Sequence, residues 1–92
     1  MFYVVIQDLI KKDITPEMMD PHKAYVKDLV QKGKMVIAGP FTDRSGGMIL
    51  IEALDENEAQ RIAAEDPAVV SGILKNNIRE FDMVFNRDLV KN

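Results

Sequence analysis

The chain has 92 residues, of which 47% are hydrophobic and 29% are charged, and its formal net charge is −3. These values indicate one small globular domain spanning residues 1–92, too apolar for disorder and without an apolar run long enough to cross a membrane. The acidic balance argues against nucleic acid as a partner, because phosphate binding requires a basic face. There is no cysteine, which excludes disulfides and thiolate chemistry, and with no basic leader before the apolar N-terminus we expect a cytoplasmic location.

The hydrophobic pattern predicts four strands and two main helices in the order β-α-β-β-α-β. Alternating and β-branched apolar residues predict strands at 2–8, 34–41, 48–54 and 78–85. Cap and stop residues, among them Asp20-Pro21, Gly33 and Asp66-Pro67, predict helices at 21–32 and 56–65. Shorter segments at 15–19 and 68–74 are expected to form a separate turn or lid and a connection.

This order, joined by right-handed crossovers, predicts a ferredoxin-like α+β sandwich in which both helices cover one face of a four-stranded antiparallel sheet. Strand segments such as Val4-Val5-Ile6 and Ile49-Leu50-Ile51 are apolar on both faces, whereas a sheet with one wet face alternates. Two short helices leave the other face uncovered. We therefore expect a homodimer that packs sheet on sheet.

His22 is the only histidine of the chain and lies at the start of the first predicted helix. Histidine is the side chain best suited to take up and release a proton near neutral pH. Tyr25, Val26 and Leu29 share its helix face, so the ring is expected to point inward. Position alone leaves two interpretations open: a packed histidine at a helix end, or a functional group in a pocket.

The other turn motifs each have a structural interpretation. Asp66-Pro67 is typical of a helix stop with an Asx turn, Gly39-Pro40 of a strand end, and Arg44-Ser45-Gly46-Gly47 of a hairpin loop. One histidine without cysteine cannot build the usual zinc sites, and no phosphate-binding glycine motif or nucleophile elbow is present. We expect neither a metal nor a cofactor.

Taken in order, these motifs resemble the YCII-related family over nearly the whole chain. The shared features are His22, Lys32-Gly33, Ala38-Gly39-Pro40-Phe41, Gly46-Gly47, Asp66-Pro67 and Ser71-Gly72-Ile73. The resemblance implies a dimeric α+β barrel built from ferredoxin-like subunits, with a small molecule as the ligand. Ala68 stands where the family often has an aromatic residue, which implies a wider or differently walled pocket.

The resemblance also implies that His22 and Asp66 form a catalytic pair, with Ser71 and Gly72 nearby. We expect Gly39, Pro40 and Arg44 to help position the substrate. A carboxylate bound to one imidazole nitrogen fixes the tautomer and stabilises the imidazolium, which suits proton abstraction next to a carbonyl or from a phenol.

The hypothesis is therefore a cofactor-independent lyase or isomerase. Muconolactone isomerases belong to the wider superfamily, and one YCII-like protein is a dehydrochlorinase of a chlorinated hydroxyhydroquinone. Two alternatives stay open: a module that binds or senses a small acid without converting it, and a purely structural dimerisation domain.

Overall fold

The computed structural model describes residues 1–88 as a four-stranded antiparallel sheet with the helices on one face. The elements are β1 (Phe2–Leu9), a 3-10 turn (Pro16–Met19), α1 (Asp20–Gln31), β2 (Met35–Pro40), β3 (Gly46–Glu52), α2 (Glu56–Ala64), α3 (Pro67–Val70) and β4 (Leu74–Phe81). The strand order is β2-β3-β1-β4. The ferredoxin-like α+β fold predicted from the sequence is confirmed.

The first helix ends as its sequence predicts. Gly33 adopts a φ of 76°, in the left-handed region that glycine enters without steric cost. Its N–H donates to the Val30 carbonyl, and the N–H of Lys34 donates to the Leu29 carbonyl at 2.9 Å. This pair of bonds is a Schellman motif, which satisfies the last helical carbonyls and turns the chain into β2.

The last strand lies four residues earlier than predicted: β4 spans Leu74–Phe81 and not 78–85. It pairs with β1 along its whole length, from Leu9 opposite Leu74 to Phe2 opposite Phe81. The run Lys75-Asn76-Asn77 concealed this start, because lysine and asparagine are depleted in strands. Met83 and Phe85, which the sequence placed in the strand, lie beyond its end.

The helix-covered face of the sheet contains the main core. Tyr3, Val5, Ile49 and Ile51 are buried there against three residues of α2, namely Ala59, Ile62 and Ala63. Small alanine side chains let α2 approach the sheet closely.

The first helix packs less deeply than α2, since none of its residues is fully buried. Val26 and Leu29 pack against the core, whereas the apolar residues Ala24 and Val30 of the same helix are exposed. A second small cluster, formed by Ala68, Ile73 and Leu74, holds Ile14 and Met19 against the sheet end. The 3-10 turn is thereby docked beside the entrance of α1, and a cavity lies between these segments and the β2–β3 hairpin.

The opposite face of the sheet is not covered by any element of residues 1–88. Cross-strand pairing places Val4 beside Leu50, and Leu50 beside Ile37, and side chains that are directly opposed lie on the same face. The apolar residues of this open face are Phe2, Val4, Ile6, Ile37, Met48, Leu50 and Phe81. The face becomes polar along β4, at Asn77 and Arg79.

Candidate functional site

His22 and Asp66, 44 positions apart in the sequence, form a direct hydrogen-bonded pair. His22 lies in the first turn of α1, and its Nδ1 is 2.9 Å from Asp66 Oδ1 and 2.8 Å from Oδ2. A carboxylate can only accept, so Nδ1 carries the proton. Within residues 1–88 no hydrogen bond engages Nε2. The ring is 17% exposed and the carboxylate 1%, so the histidine stands between the buried acid and the solvent-accessible side.

Asp66 is held by backbone and side-chain donors as well as by the imidazole. It is the N-cap of α3, where its Oδ1 accepts from the Ala68 N–H at 2.9 Å. Gln7 donates its amide to Oδ2 at 3.0 Å. Burial alone would raise the pKa of Asp66, but the hydrogen bonds from His22, Gln7 and Ala68, together with the charge of a protonated His22, outweigh it and hold the pKa below its ordinary value. The group is therefore an anion at neutral pH.

The Asx turn predicted for Asp66-Pro67 and the pair predicted with His22 are thus both present. One carboxylate caps a short helix and also holds the imidazole, so the local structure fixes where the ring is bound. The two interpretations are compatible, since a carboxylate has lone pairs enough for several donors.

Gln7 and Asn76 complete a polar network that the sequence analysis did not identify. Gln7 also donates to Asn76 Oδ1 at 3.0 Å, and Asn76 donates to the Ala63 carbonyl at 2.8 Å. The sequence feature that could have identified it lies in β1. Gln7 alternates in step with the buried residues Tyr3 and Val5, so it occupies an inward-facing position although it is polar. A buried amide on a core position needs partners, and here it braces the carboxylate.

A cavity of about 680 Å³ opens beside His22, within the size range typical of small-molecule sites. Its walls come from the 3-10 turn region, α1, the ends of β1 and β4, and the β2–β3 hairpin. Most of the lining is apolar, with Leu9, Ile14, Met19, Val26 and Leu74 among the contributors. Gln7 reaches the cavity, whereas Asp66 is not among the lining residues.

Three of the predicted positioning residues line the same cavity as His22, namely Gly39, Pro40 and Arg44. Ser71 and Gly72 do not line it. Ser71 ends α3, and its hydroxyl donates to the Pro67 carbonyl at 2.8 Å, while Gly72 turns the chain with a φ of 77°. The structure assigns both residues a place in the α3–β4 turn, and their role in binding stays a prediction.

Gly46 and Gly47 reach the cavity, and the packing of the sheet already requires both to be glycine. A Cβ on Gly46 would lie 1.9 Å from the Gln7 carbonyl oxygen, and one on Gly47 would lie 2.6 Å from that of Gly39. Real Cβ atoms do not approach so closely, so the start of β3 could not pair with both neighbours if either residue had a side chain. The glycine pair therefore shapes the hairpin that carries Arg44.

Two further findings concern the described residues as a set. Residues 1–88 hold no group of three or more His, Asp or Glu side chains placed to bind a metal ion. None of their helices is long and apolar enough to span a membrane.

The profile of the YCII-related domain matches residues 1–82. The chain belongs to the YCII-related family. An uncharacterised relative, YjpA of Bacillus subtilis (strain 168), is 34% identical over 62 residues, which are 67% of this chain and 73% of YjpA.

A solved structure shares the fold at low sequence identity. It is 5-chloro-2-hydroxyhydroquinone dehydrochlorinase from Burkholderia phenoliruptrix AC1100 in complex with 2,5-dihydroxybenzoquinone, with a TM-score of 0.75 and 18% identity. The match covers 89% of this YCII-related chain and 94% of the dehydrochlorinase. At 18% identity this similarity establishes a shared fold only.

Proposed function

We propose that this YCII-related protein is a cofactor-independent lyase or isomerase that moves a proton on a small carbonyl or phenolic substrate, with His22 as general base and Asp66 as the residue that positions it. The observation that carries the proposal is the ring geometry. A buried carboxylate binds Nδ1, which leaves Nε2 as the nitrogen that can accept a proton from a molecule in the cavity.

The chemical step follows from that tautomer. His22 Nε2 takes a proton from a carbon next to a carbonyl, or from a phenolic hydroxyl, and the electron pair moves into the conjugated system as an enolate or phenolate. The Asp66 carboxylate stabilises the imidazolium that forms. The proton then returns to another atom of the same molecule, which is an isomerisation, or a leaving group departs with its electron pair, which is an elimination.

The surroundings of the pair favour this chemistry. The apolar walls lower the local dielectric, which strengthens the interaction between the imidazolium and the carboxylate. Gln7, bonded to both Asp66 and Asn76, keeps the carboxylate from rotating away when the ring changes charge. The shared fold of a dehydrochlorinase with a dihydroxybenzoquinone complex supports a small oxygenated ring or keto compound as the substrate class.

The test is proton abstraction itself, measured before any substrate is known. The protein is incubated in D₂O with a panel of α-keto acids, β-diketones and hydroxyquinones, and deuterium incorporation is followed by proton NMR. We expect enzyme-dependent exchange on at least one class, reduced roughly 100-fold or more by His22→Gln. Asp66→Asn should reduce it as well, because it removes the carboxylate that fixes the tautomer.

Circular dichroism and thermal unfolding show whether the variants are folded. Compounds that bind, seen as shifts in the NMR spectrum, without exchange in the wild type would contradict the catalytic proposal and favour a binding module. Exchange that survives unchanged in a folded His22→Gln variant would remove His22 from the role of base.

We further propose that the protein is a homodimer in which two open faces pack together. This face holds seven apolar residues distributed over all four strands, and its outer members Ile37 and Phe81 are 52% and 46% exposed. Contiguous exposed apolar surface on a small domain is typical of an interface, and a twofold axis buries the same patch on both copies. Analytical ultracentrifugation at micromolar protein should give twice the chain mass of 10.4 kDa, and a monomer mass would contradict the proposal.

A further inference from the structure

The charges around the cavity are one-sided. The chain has 15 acidic and 12 basic side chains besides its histidine, so most sets of three charged residues drawn at random from them would contain both signs. This cavity is lined by Lys23, Lys27 and Arg44 and by no aspartate or glutamate of residues 1–88. We propose, resting on the function proposed above, that the substrate is an anion: a small acid whose carboxylate is bound by these three residues, here called the cationic rim, while its apolar body fills the cavity.

The three cations are available to a ligand. The ion pairs of the described residues involve other lysines and arginines, namely Lys32 with Asp28, Lys34 with Glu58 and Arg61 with Glu58. No ion pair engages Lys23, Lys27 or Arg44 within residues 1–88. Their positive charge is therefore not neutralised by the protein, and a cavity with low-dielectric walls concentrates the field of such charges on its interior.

Two separate elements supply the rim. Lys23 and Lys27 lie one turn apart on α1 and so share a helix face, the same helix that carries His22. Arg44 lies in the loop between β2 and β3. A carboxylate held by groups from both elements would be fixed in orientation as well as attracted, and a guanidinium can bind it through two parallel hydrogen bonds.

Arg44 occupies a backbone conformation that favours glycine. Its φ is 66°, and the surrounding loop holds it there: its N–H donates to the Phe41 carbonyl at 3.0 Å, and both the backbone N–H and the hydroxyl of Ser45 donate to Asp43. The other non-glycine residue with a positive φ in residues 1–88 is Asp13, a residue type that tolerates it. An unfavourable backbone conformation that the neighbouring bonds impose is typical of ligand-binding positions, and here it sets a guanidinium at the cavity.

The rim also suits the proposed chemistry. When His22 removes a proton next to a carbonyl, negative charge develops on the substrate oxygen, and fixed positive groups stabilise that charge more than they stabilise the ground state. Arg44 and the two lysines would thus serve in binding the acid and in stabilising the enolate, with no group beyond this chain required for that step.

The experiment compares an acid with its neutral ester. Phenylpyruvate and methyl phenylpyruvate share an apolar ring and an acidic methylene next to a carbonyl, and they differ in the negative charge. Dissociation constants come from NMR titration of the intact protein at low and at high ionic strength. We expect phenylpyruvate to bind at least about tenfold more tightly than the ester at low salt, and the preference to shrink at high salt because screening weakens charge attraction.

Variants assign the preference to the rim. Arg44→Gly should weaken phenylpyruvate binding about tenfold and ester binding much less, and the fold should persist because glycine adopts the left-handed conformation freely. Lys23→Gln and Lys27→Gln should each weaken it roughly threefold, as expected for exposed charges. The matched control is Lys32→Gln, which removes a lysine of the same helix region that does not line the cavity and should change neither affinity.

The two proposals fail in different ways. Equal affinity for the acid and the ester, or rim variants that bind the acid as tightly as the wild type, would overturn the anion site even if deuterium exchange on neutral compounds were observed. Charge-dependent binding of phenylpyruvate without His22-dependent exchange would support the anion site and contradict the catalytic role of His22.

Discussion

The same strands contribute side chains to both faces of the sheet, and the two faces differ in how far those side chains are buried. Along β3, Ile49 and Ile51 point toward the helices and are buried in the main core, whereas Leu50, between them, points toward the open face. Along β1, Tyr3 and Val5 are buried and Val4 and Ile6 are half-exposed. One face is packed within the chain. The other leaves Ile37 and Phe81 about half exposed although Leu50 beside Ile37 is buried, and the side-chain types of the two faces are nearly the same.

The covered face is itself divided. Its centre is apolar and close-packed under α2, while its far end holds the Asp66 network under the entrance of α1. Helix α1 has no fully buried residue, so the end of the sheet near it is left with a cavity and not with packed side chains. A fold of this size has little core to spare, so a cavity at this end of the covered face agrees with the small-molecule site proposed above.

The largest effect is expected from shortening a side chain in the centre of the covered face. Ile51 is fully buried, so Ile51→Ala leaves a cavity and should lower the free energy of unfolding by about 3–4 kcal/mol. The same change on the open face, Ile37→Ala, should cost below about 1 kcal/mol when measured on monomeric protein. Urea unfolding at low protein concentration compares the two, and equal losses would mean that the two faces do not differ as described.

A smaller and pH-dependent effect is expected at the polar end of the same face. Asp66→Asn keeps the shape but weakens three hydrogen bonds of a buried anion, and should cost about 1–3 kcal/mol near neutral pH. The pKa of Asp66 in the folded protein lies below its ordinary value, which is about 3.9 in an unfolded chain. Its stabilising contribution is therefore fully present above pH of about 4 and is lost as the pH falls through the folded pKa.

The measurement is the difference in unfolding free energy between the wild type and Asp66→Asn across pH. We expect the difference to be constant near neutral pH and to shrink on acidification. A difference that grew as the pH fell would show that the folded protein prefers the protonated acid, contrary to the hydrogen-bond pattern. Asp43→Asn, at an exposed carboxylate bonded to Ser45, provides the comparison for a group outside the network.

The sequence predicts the fold well because the deciding signals are local. Gly33 permits the left-handed turn that ends α1, Asp55 caps α2 by accepting from the Glu58 N–H, and Asp66-Pro67 separates two helices. The start of β4 was missed because Asn76 is a poor strand former that is placed in the sheet by long-range bonds to Gln7 and Ala63. No local pattern contains that information.

The residues of the site likewise fall into those that the sequence predicts and those that depend on tertiary contacts. The family resemblance and the motifs brought His22 and Asp66 together in advance, and the structure shows their atoms in contact. Nothing in the sequence distinguishes Lys23 and Lys27 from solvated surface lysines, because a lysine on a short helix has the same local pattern whether it faces solvent or a cavity. Whether these lysines line a cavity depends on where the β2–β3 loop lies in space, which only the tertiary structure specifies.

The smallest effect on the folded chain, and the sharpest test of the open face, is expected from Ile37→Lys. Ile37 is half-exposed, so a lysine there can extend into solvent and should change the stability of the monomer by no more than about 0.5 kcal/mol. In a dimer that packs open face on open face, the same residue would place one buried charge from each subunit in the interface, and the desolvation cost would prevent association.

Sedimentation of Ile37→Lys should therefore give a monomer mass under conditions in which the wild type is dimeric, with an unchanged circular dichroism spectrum. The matched control is Val70→Lys, which places the same charge on an exposed apolar residue of α3, on the covered side of the sheet. It should leave the mass unaltered. If both variants stayed dimeric, the dimer would use another surface, and the apolar residues of the open face would need a different partner to explain them.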